Sequence, residues 1–210
     1  DTSAQCLPPY LMGAWLGDGS RHNPVFTLSD KEVEDSLLSW AQPFKTSIKE
    51  RSGCRDYRIA GSPLSSYLKK NRFVEQGKFI PAEYKNASKG ERLQLLAGII
   101  DTDGCVSNNC FDLVFKDQQL AEDVVFVARS LGLAAYVRPC KKGIKSIDFT
   151  GTYYRITISG DTFKVPTRVA RKQCTPREQR KNALNTGIKV ESLGVGNYYG
   201  FTLSGPDHLF

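Results

Sequence analysis

The sequence lacks the ligand pairs that build a zinc site. Its six cysteines include no C-x-x-C pair, and it has only two histidines, His22 and His208. Zinc fingers and zinc nucleases need closely spaced cysteine or histidine ligands. A zinc-based class is therefore excluded, and reduced thiols in an intracellular protein are the simpler interpretation of the cysteines.

The sequence also lacks the signals of membrane insertion and secretion. No apolar run approaches the length that crosses a bilayer, and no basic start is followed by an apolar stretch. With 210 residues, 40% of them hydrophobic and 24% charged, the chain suffices for one large or two small soluble domains. It begins at Asp1 rather than at a methionine, so we expect an excised or trimmed piece.

Positive charge is in excess and is unevenly distributed. Twenty-nine lysines and arginines against 22 acidic residues give a net charge of +7 and a pI near 9.1. A merely basic soluble protein is one interpretation. Clustering favours phosphate neutralisation instead. The basic residues crowd into two stretches, 138–145 and 168–181.

Two segments of the chain share one pattern. Residues 11–19 (LMGAWLGDG) and 96–104 (LAGIIDTDG) each form an apolar, helix-like stretch that ends in Asp-Gly. The patterns then predict a strand, a helix capped by aspartate and two more strands after each copy. These lie at 25–28, 30–44, 46–50 and 57–60, and at 111–115, 117–131, 135–138 and 153–158. Two unrelated buried helices would not be followed by the same order of strands and helices, so we predict a duplicated α+β protein.

The repeated Asp-Gly ends predict a shared cation site. Small residues such as Gly13 and Gly98 let two helices pack closely and in parallel, which brings Asp18 and Asp103 together. Two carboxylates at negative helix ends are unfavourable unless a divalent cation lies between them. Hard oxygen ligands suit Mg²⁺, and such an ion within a basic surface fits phosphodiester hydrolysis, helped by a nearby lysine.

The two segments resemble the paired motifs of LAGLIDADG homing endonucleases. The second departs from that consensus at two positions, and the first keeps Leu11, Gly13, Asp18 and Gly19. The resemblance covers residues 8 to 175. It implies a site-specific double-stranded DNA endonuclease with pseudo-twofold αββαββα units, at 1–90 and 91–175, and two saddle-shaped antiparallel sheets.

Two further stretches narrow the resemblance to endonucleases carried by inteins. Residues 78–88 look like the lysine block of those enzymes, and residues 198–203 (YYGFTL) are similar to a strand near the end of a splicing domain. The groups that splicing requires are not visible. The resemblance therefore implies an intein endonuclease with a short, β-rich C-terminal remnant at 176–210, located inside the cell, in nucleus or cytoplasm, with its host protein.

The resemblance also assigns roles to residues of the site. It implies that Asp18 and Asp103 bind the metal, with main-chain oxygens of Gly17 and Thr102 as further ligands. Lys78 takes the first lysine role. For the second lysine we expect Lys172, which lies at a comparable distance past the second Tyr-Arg-Ile, and Lys164 is the alternative.

Family members place their sheets in the major groove, so one face of each strand would contact DNA. The candidates are Arg21, Asn23, Lys45, Lys49, Arg51, Arg55, Arg58, Asn108, Lys116, Arg138, Lys141, Lys142, Lys145 and Arg155. We expect a monomer with a long, specific DNA site, because one chain holds both acids. The alternatives are a nucleic-acid-binding relative that does not cut, such as an RNA maturase, or a decayed intein endonuclease.

Overall fold

The chain folds as two related units that follow each other in sequence. The computed structural model describes residues 5–144, 149–179, 182, 185, 187–197 and 199–206. The first unit contains α1 (Pro9–Asp18), β1 (Val25–Leu28), α2 (Lys31–Ala41), β2 (Lys45–Arg51), β3 (Cys54–Ala60) and α3 (Leu64–Lys70). Two short helices, α4 (Phe73–Gln76) and α5 (Ala82–Lys85), lead out of it.

The second unit repeats this order with small changes. It contains α6 (Lys89–Asp103), β4 (Cys105–Ser107), β5 (Cys110–Phe115), α7 (Gln118–Ser130), β6 (Ala134–Ile144) and β7 (Phe149–Ser159). Two 3-10 turns, Thr162–Lys164 and Ala170–Lys172, follow. The predicted boundary between 90 and 91 falls in the first turn of α6, which Ser88 and Glu91 cap. The division into these domains stays a prediction.

Each unit contributes one antiparallel sheet. The strand order is β1-β3-β2 in the first sheet and β4-β5-β7-β6 in the second. The amphipathic helices α2 and α7 bury their predicted apolar stripes, with Val33 and Leu37 in one and Val124 and Val127 in the other. The predicted α+β class with two antiparallel sheets is confirmed. Across the described ranges, no helix is both long and apolar enough to cross a bilayer.

The first unit lacks one strand of the predicted αββαββα order. In the second unit, Asn108 and Asn109 adopt positive φ angles of 51° and 55° and form the tight turn that joins β4 to β5. Residues 20–24 have no such turn, and Pro24 cannot donate a main-chain hydrogen bond. Only a single bridge, Gly19 to Phe26, stands where β4 stands in the second unit.

Two predicted ends differ from the structure. Helix α2 stops at Ala41 instead of residue 44. Pro43 has no N–H to continue the helical hydrogen bonds, and Phe44 donates to the Ala41 carbonyl in a tighter turn. The predicted β-rich C-terminal segment is also wrong for the described residues, which contain no strand after β7. Its apolar side chains lie exposed beside no partner strand: Ile188, Val190, Leu193, Val195, Tyr199 and Phe201. Tyr198 lies outside the described residues.

Helices α1 and α6 form the centre of the molecule and meet backbone to backbone. A Cβ atom on Gly13 would lie 2.1 Å from the Leu95 carbonyl oxygen, and one on Gly98 would lie 2.0 Å from the Tyr10 carbonyl oxygen. The two contacts are related by the repeat, since Gly13 matches Gly98 and Tyr10 matches Leu95. Because backbone atoms cannot move aside like flexible side chains, no larger residue fits at either glycine.

We expect Gly98→Ala to lower the free energy of unfolding by about 1–3 kcal/mol, because the added methyl forces α1 and α6 apart. Gly90→Ala, in the same helix, is the matched control, since a Cβ there meets nothing within 4 Å. Chemical denaturation followed by circular dichroism measures both. Equal stability of the two variants would contradict the close seam.

Candidate active site

The two central helices end with the same backbone geometry. The Gly19 N–H donates to the Trp15 carbonyl at 2.8 Å, and the Gly104 N–H donates to the Ile100 carbonyl at 2.9 Å. Both glycines leave their helix in an extended conformation. Asp18 and Asp103, the residues just before them, therefore hold equivalent positions at one end of the seam.

The helices remain close at this acidic end. A Cβ atom on Gly17 would lie 2.0 Å from the Thr102 Oγ1 atom. That hydroxyl donates back to the Gly98 carbonyl at 3.0 Å, which fixes its direction. The structure thus brings Asp18 and Asp103 to a single site, together with the main-chain oxygens of Gly17 and Thr102.

Lys78 closes the end of α1. Its ammonium group donates to three successive carbonyl oxygens: Trp15 at 3.1 Å, Leu16 at 2.8 Å and Gly17 at 2.7 Å. The Trp15 carbonyl also accepts from the Gly19 N–H, and all three carbonyls lie at the negative end of the helix dipole. The lysine charge therefore stabilises the turn that presents Asp18.

Lys172 closes the end of α6 in the same way. Its ammonium group donates to Ile100 at 3.1 Å, Asp101 at 2.6 Å and Thr102 at 3.1 Å, the three positions that match those bound by Lys78. The alternative, Lys164, is exposed and pairs with Asp161 at 2.5 Å. Lys172 is thus the structural counterpart of Lys78.

Burial and mutual repulsion shape the charge of the site. Loss of hydration, and then the charge of Asp103, raise the pKa of Asp18 to about 6. Loss of hydration also raises the pKa of Asp103, although its side chain keeps an open face to solvent. Burial lowers the pKa of Lys78 to about 8 and lowers that of Lys172 as well. The charged forms of the two aspartates and the two lysines are therefore destabilised at this site.

The oxygen atoms of the site fit a hard divalent cation. Within the described ranges, the carboxylates of Asp18 and Asp103 have no hydrogen bond or ion pair. Two carboxylates and adjacent main-chain carbonyls are the ligands that Mg²⁺ prefers. No cluster of three or more His, Cys, Asp or Glu is found among the described residues, so water or phosphate oxygens would complete the coordination.

Strand register divides the predicted DNA-binding residues between two faces. Lys45, Lys49 and Arg51 share the outer face of the first sheet with Arg58. Arg55 does not, because it shares the face of the buried Tyr57 and pairs with Glu34 of α2 at 3.4 Å. Side chains alternate along a strand, so the structure separates Arg55 from this set.

In the second sheet, Arg138 and Arg155 are paired across β6 and β7 on the outer face, and Lys142 has the same parity. Lys141 has the opposite parity and donates to Thr152 at 2.7 Å. Arg21, Asn23, Asn108 and Lys116 lie in loops, and Lys145 lies outside the described residues.

Several of these arginines already have acidic partners in the protein. Arg51 pairs with Asp56 at 2.5 Å, and Arg155 pairs with Asp112 at 2.8 Å. They are therefore oriented groups and not free cations.

The two aspartates predicted to cap α2 and α7 have other partners. Neither Asp30 nor Asp117 forms a side-chain cap. Asp30 accepts from the Arg171 guanidinium, and Asp117 accepts from the Lys78 main-chain N–H at 3.2 Å. Sequence reasoning missed these contacts, because each joins positions far apart in the chain and no local pattern marks them.

Comparisons with known proteins agree with this architecture. A family model described as homing endonuclease matches residues 80–186. Replicative DNA helicase DnaB of Mycobacterium intracellulare is 32% identical over 127 residues, which are 60% of this chain and 19% of that protein. The chain thus spans about a fifth of the length of this curated relative.

Among solved structures, the chain is similar to the homing endonuclease I-DmoI. Mesophilic variants of I-DmoI give a TM-score of 0.52 at 16% identity, covering 78% of this chain and 95% of theirs. An I-DmoI variant in complex with its target DNA and manganese gives 0.50 at 17% identity, covering 76% and 90%. Another, with target DNA and magnesium, gives 0.50 at 15%, covering 78% and 95%. At these identities the likeness establishes the fold alone.

The raised pKa of Asp18 predicts a pH-dependent stability. The unfolded chain releases this proton near pH 4, whereas the folded protein holds it until about pH 6. The folded state binds more protons between these values, so its stability falls as the pH rises through them. Asp18→Asn should therefore stabilise the metal-free protein at pH 7.5, by about 3 kcal/mol at most, and should lose that gain below pH 4.

Thermal melts in a chelating buffer at both pH values measure this effect. Asp35→Asn, which alters an exposed carboxylate of α2, is the control and should gain nothing. A gain from Asp18→Asn that persists undiminished at low pH would rule out charge repulsion as its cause.

Proposed function

This chain belongs to the homing endonuclease family, and from that premise we propose that it cuts double-stranded DNA at a long, specific site in a Mg²⁺-dependent hydrolysis. Each repeat supplies one aspartate and one lysine. The observation that carries the proposal is the matched pair of lysine-closed helix ends beside Asp18 and Asp103. A decayed site has no reason to keep both lysines on equivalent atoms. The chain would act as a monomer, because it contains both halves of the site.

The chain's own residues define the chemistry at this site. Asp18 and Asp103 would hold Mg²⁺, with Gly17 and Thr102 as main-chain ligands, and the ion would offset negative charge on the scissile phosphates. Lys78 and Lys172 add positive charge, and neither ammonium is paired with an acidic side chain in the described part of the chain. Because they are already fixed by three acceptors each, they need little reorganisation when charge develops in the transition state.

The outer faces of the two sheets would hold the duplex. Lys45, Lys49 and Arg58 in the first sheet and Arg138 and Lys142 in the second are exposed on these faces. Arg51 and Arg155, already oriented by acids, suit contact with base edges better than general phosphate contact. The net charge of +7 would add a salt-dependent attraction to DNA.

An origin within an intein is part of the proposal. One matching curated relative is named a replicative DNA helicase, and the matched segment is 19% of it. An endonuclease-like segment thus lies within a protein named for another activity. The sequence of residues 198–203, which is similar to a strand near the end of a splicing domain, also supports this origin. The protein would then be intracellular, wherever its host is located.

The direct test is cleavage of a randomised DNA library with Mg²⁺, followed by sequencing of the ends. We expect one recurrent sequence at the cut ends and no cutting in a chelator. Selective binding of one sequence without cutting would support the alternative, a nucleic-acid-binding relative that has lost catalysis.

We expect Asp18→Asn and Asp103→Asn each to abolish cleavage of both strands, because both acids lie at one seam and can share a cation. Binding in Ca²⁺ should survive, since the sheets hold the duplex. A supercoiled plasmid that carries the target measures both effects. Accumulation of nicked circle at the wild-type rate would mean independent sites, and linearisation by either variant would remove that aspartate from the mechanism.

We expect Lys78→Ala to slow cleavage strongly and to leave DNA affinity nearly unchanged, because one lost cation matters little among many phosphate contacts but much to a transition state. Single-turnover rates and binding isotherms separate the two effects. Lys164→Ala, at an exposed lysine, should change neither. If affinity and rate fall by the same factor, Lys78 is only a docking residue.

A further inference from the structure

Each lysine ammonium binds the helix end of one repeat, but the segment that carries the lysine is bound by the other repeat. Lys78 closes the end of α1, in the first repeat. Its own main-chain N–H donates to Asp117, which lies just before α7 in the second repeat, at 3.2 Å. Asp117 also packs closely against the residue before Lys78, because a Cβ atom on Gly77 would lie 2.9 Å from the Asp117 Oδ1 atom.

A second acid of α7 holds the same segment. Asp123 is only 4% exposed, and it accepts from the Ile80 main-chain N–H at 2.8 Å and from the Lys85 ammonium at 2.5 Å. The stretch between α4 and α5 that carries Lys78 is therefore held at two points, by Asp117 just before α7 and by Asp123 within it. The Lys78 side chain then reaches across to α1.

Lys172 shows the mirror arrangement. It closes the end of α6, in the second repeat, and its neighbour Arg171 pairs with Asp30, which lies just before α2 in the first repeat. The pairing is bidentate, with one of its hydrogen bonds at 2.9 Å. Nearby, the Arg168 guanidinium lies 3.7 Å from the centre of the Tyr10 ring in α1 and bonds Ser36 in α2.

A buried acid again supports the segment. Asp101 is only 1% exposed and accepts from the Arg168 main-chain N–H at 2.7 Å and from the Tyr10 hydroxyl at 2.8 Å. The loop that carries Lys172 is thus tied to α1 and α2 of the first repeat as well as to α6. Asp30 and Asp117 hold the same place in their repeats, since each follows a strand and precedes the second helix.

We propose that Asp117 and Asp30 are positioning residues that set Lys78 and Lys172, each from the repeat opposite to the helix end that its lysine closes. The inference rests on the proposed function for its effect on cleavage, but not for its effect on the lysines themselves. Each strand-cutting centre then depends on both repeats. A displacement of about 1 Å at such a lysine would slow cleavage by about 100-fold.

The first test needs neither DNA nor metal. Amine acetylation followed by mass spectrometry reports how well each lysine ammonium is protected. Asp117→Ala should raise the labelling rate of Lys78 several-fold and leave Lys172 protected, and Asp30→Ala should do the reverse. Glu122→Ala on α7 and Asp35→Ala on α2, both at exposed positions, are the matched controls. The proposal would be overturned if the labelling rate of the lysine paired with each aspartate stayed unchanged, or if the labelling rates of both lysines rose alike.

The second test compares cleavage of the two DNA strands, each labelled separately. Asp117→Ala should slow the same strand as Lys78→Ala, and the double variant should be no slower than Lys78→Ala alone. Asp117→Asn keeps an acceptor for the Lys78 N–H and should recover part of the rate. Asp30→Ala should follow Lys172→Ala in the same manner.

The outcomes of the two tests are distinguishable. Wild-type protein that fails to cut any DNA would refute the proposed function, and the labelling result would still decide the positioning role. Additive losses in the double variant, with cutting by the wild type intact, would refute the positioning role and leave the function standing.

Discussion

Backbone contact between α1 and α6 is the constraint on which the rest of the site depends. Because Gly13 and Gly98 have no Cβ atoms, the carbonyl oxygens of Leu95 and Tyr10 set the distance between the helices. Backbone positions vary less than side-chain positions, so the two helix ends have little freedom relative to each other. Everything that projects from those ends, Asp18 and Asp103 first, inherits that fixed separation.

Bringing two helix ends together creates an excess of negative charge, and the structure compensates only part of it. Lys78 and Lys172 neutralise the carbonyl ends of the helices, which would otherwise add to the repulsion. Among the residues that the structure describes, the carboxylates themselves have no ionic partner, and the pKa of each is raised. Because the metal-free fold keeps these two carboxylates close together at a cost in stability, binding of a cation between them would stabilise it. The packing of α1 and α6 is thereby connected to the proposed chemistry.

The sequence predicted those features that leave a periodic or repeated pattern. The strand at 25–28, the apolar stripes of α2 and α7 and the Asp-Gly helix ends all follow from local spacing, and the structure has them. Features set by distant partners could not be predicted in this way. Arg55 lies on the core side because of where β3 pairs, and Asp30 and Asp117 bind residues 141 and 39 positions away. The local sequence pattern favours a helix cap at both aspartates, because a cap is the contact that such a side chain can make with its own neighbours in sequence.

The lysine contacts explain why the two repeats can differ so much in sequence and still build matching sites. The three acceptor residues differ at every matched position, with Trp15, Leu16 and Gly17 in one repeat and Ile100, Asp101 and Thr102 in the other. Both sets nevertheless surround a lysine ammonium. The acceptors are main-chain carbonyls, which every residue type supplies at the end of a helix. The shared geometry therefore depends on the glycines, the two acids and the two lysines, while the side chains between them can differ. Asp101 illustrates this freedom, because it anchors the Lys172 loop at a position where the first repeat has an apolar leucine.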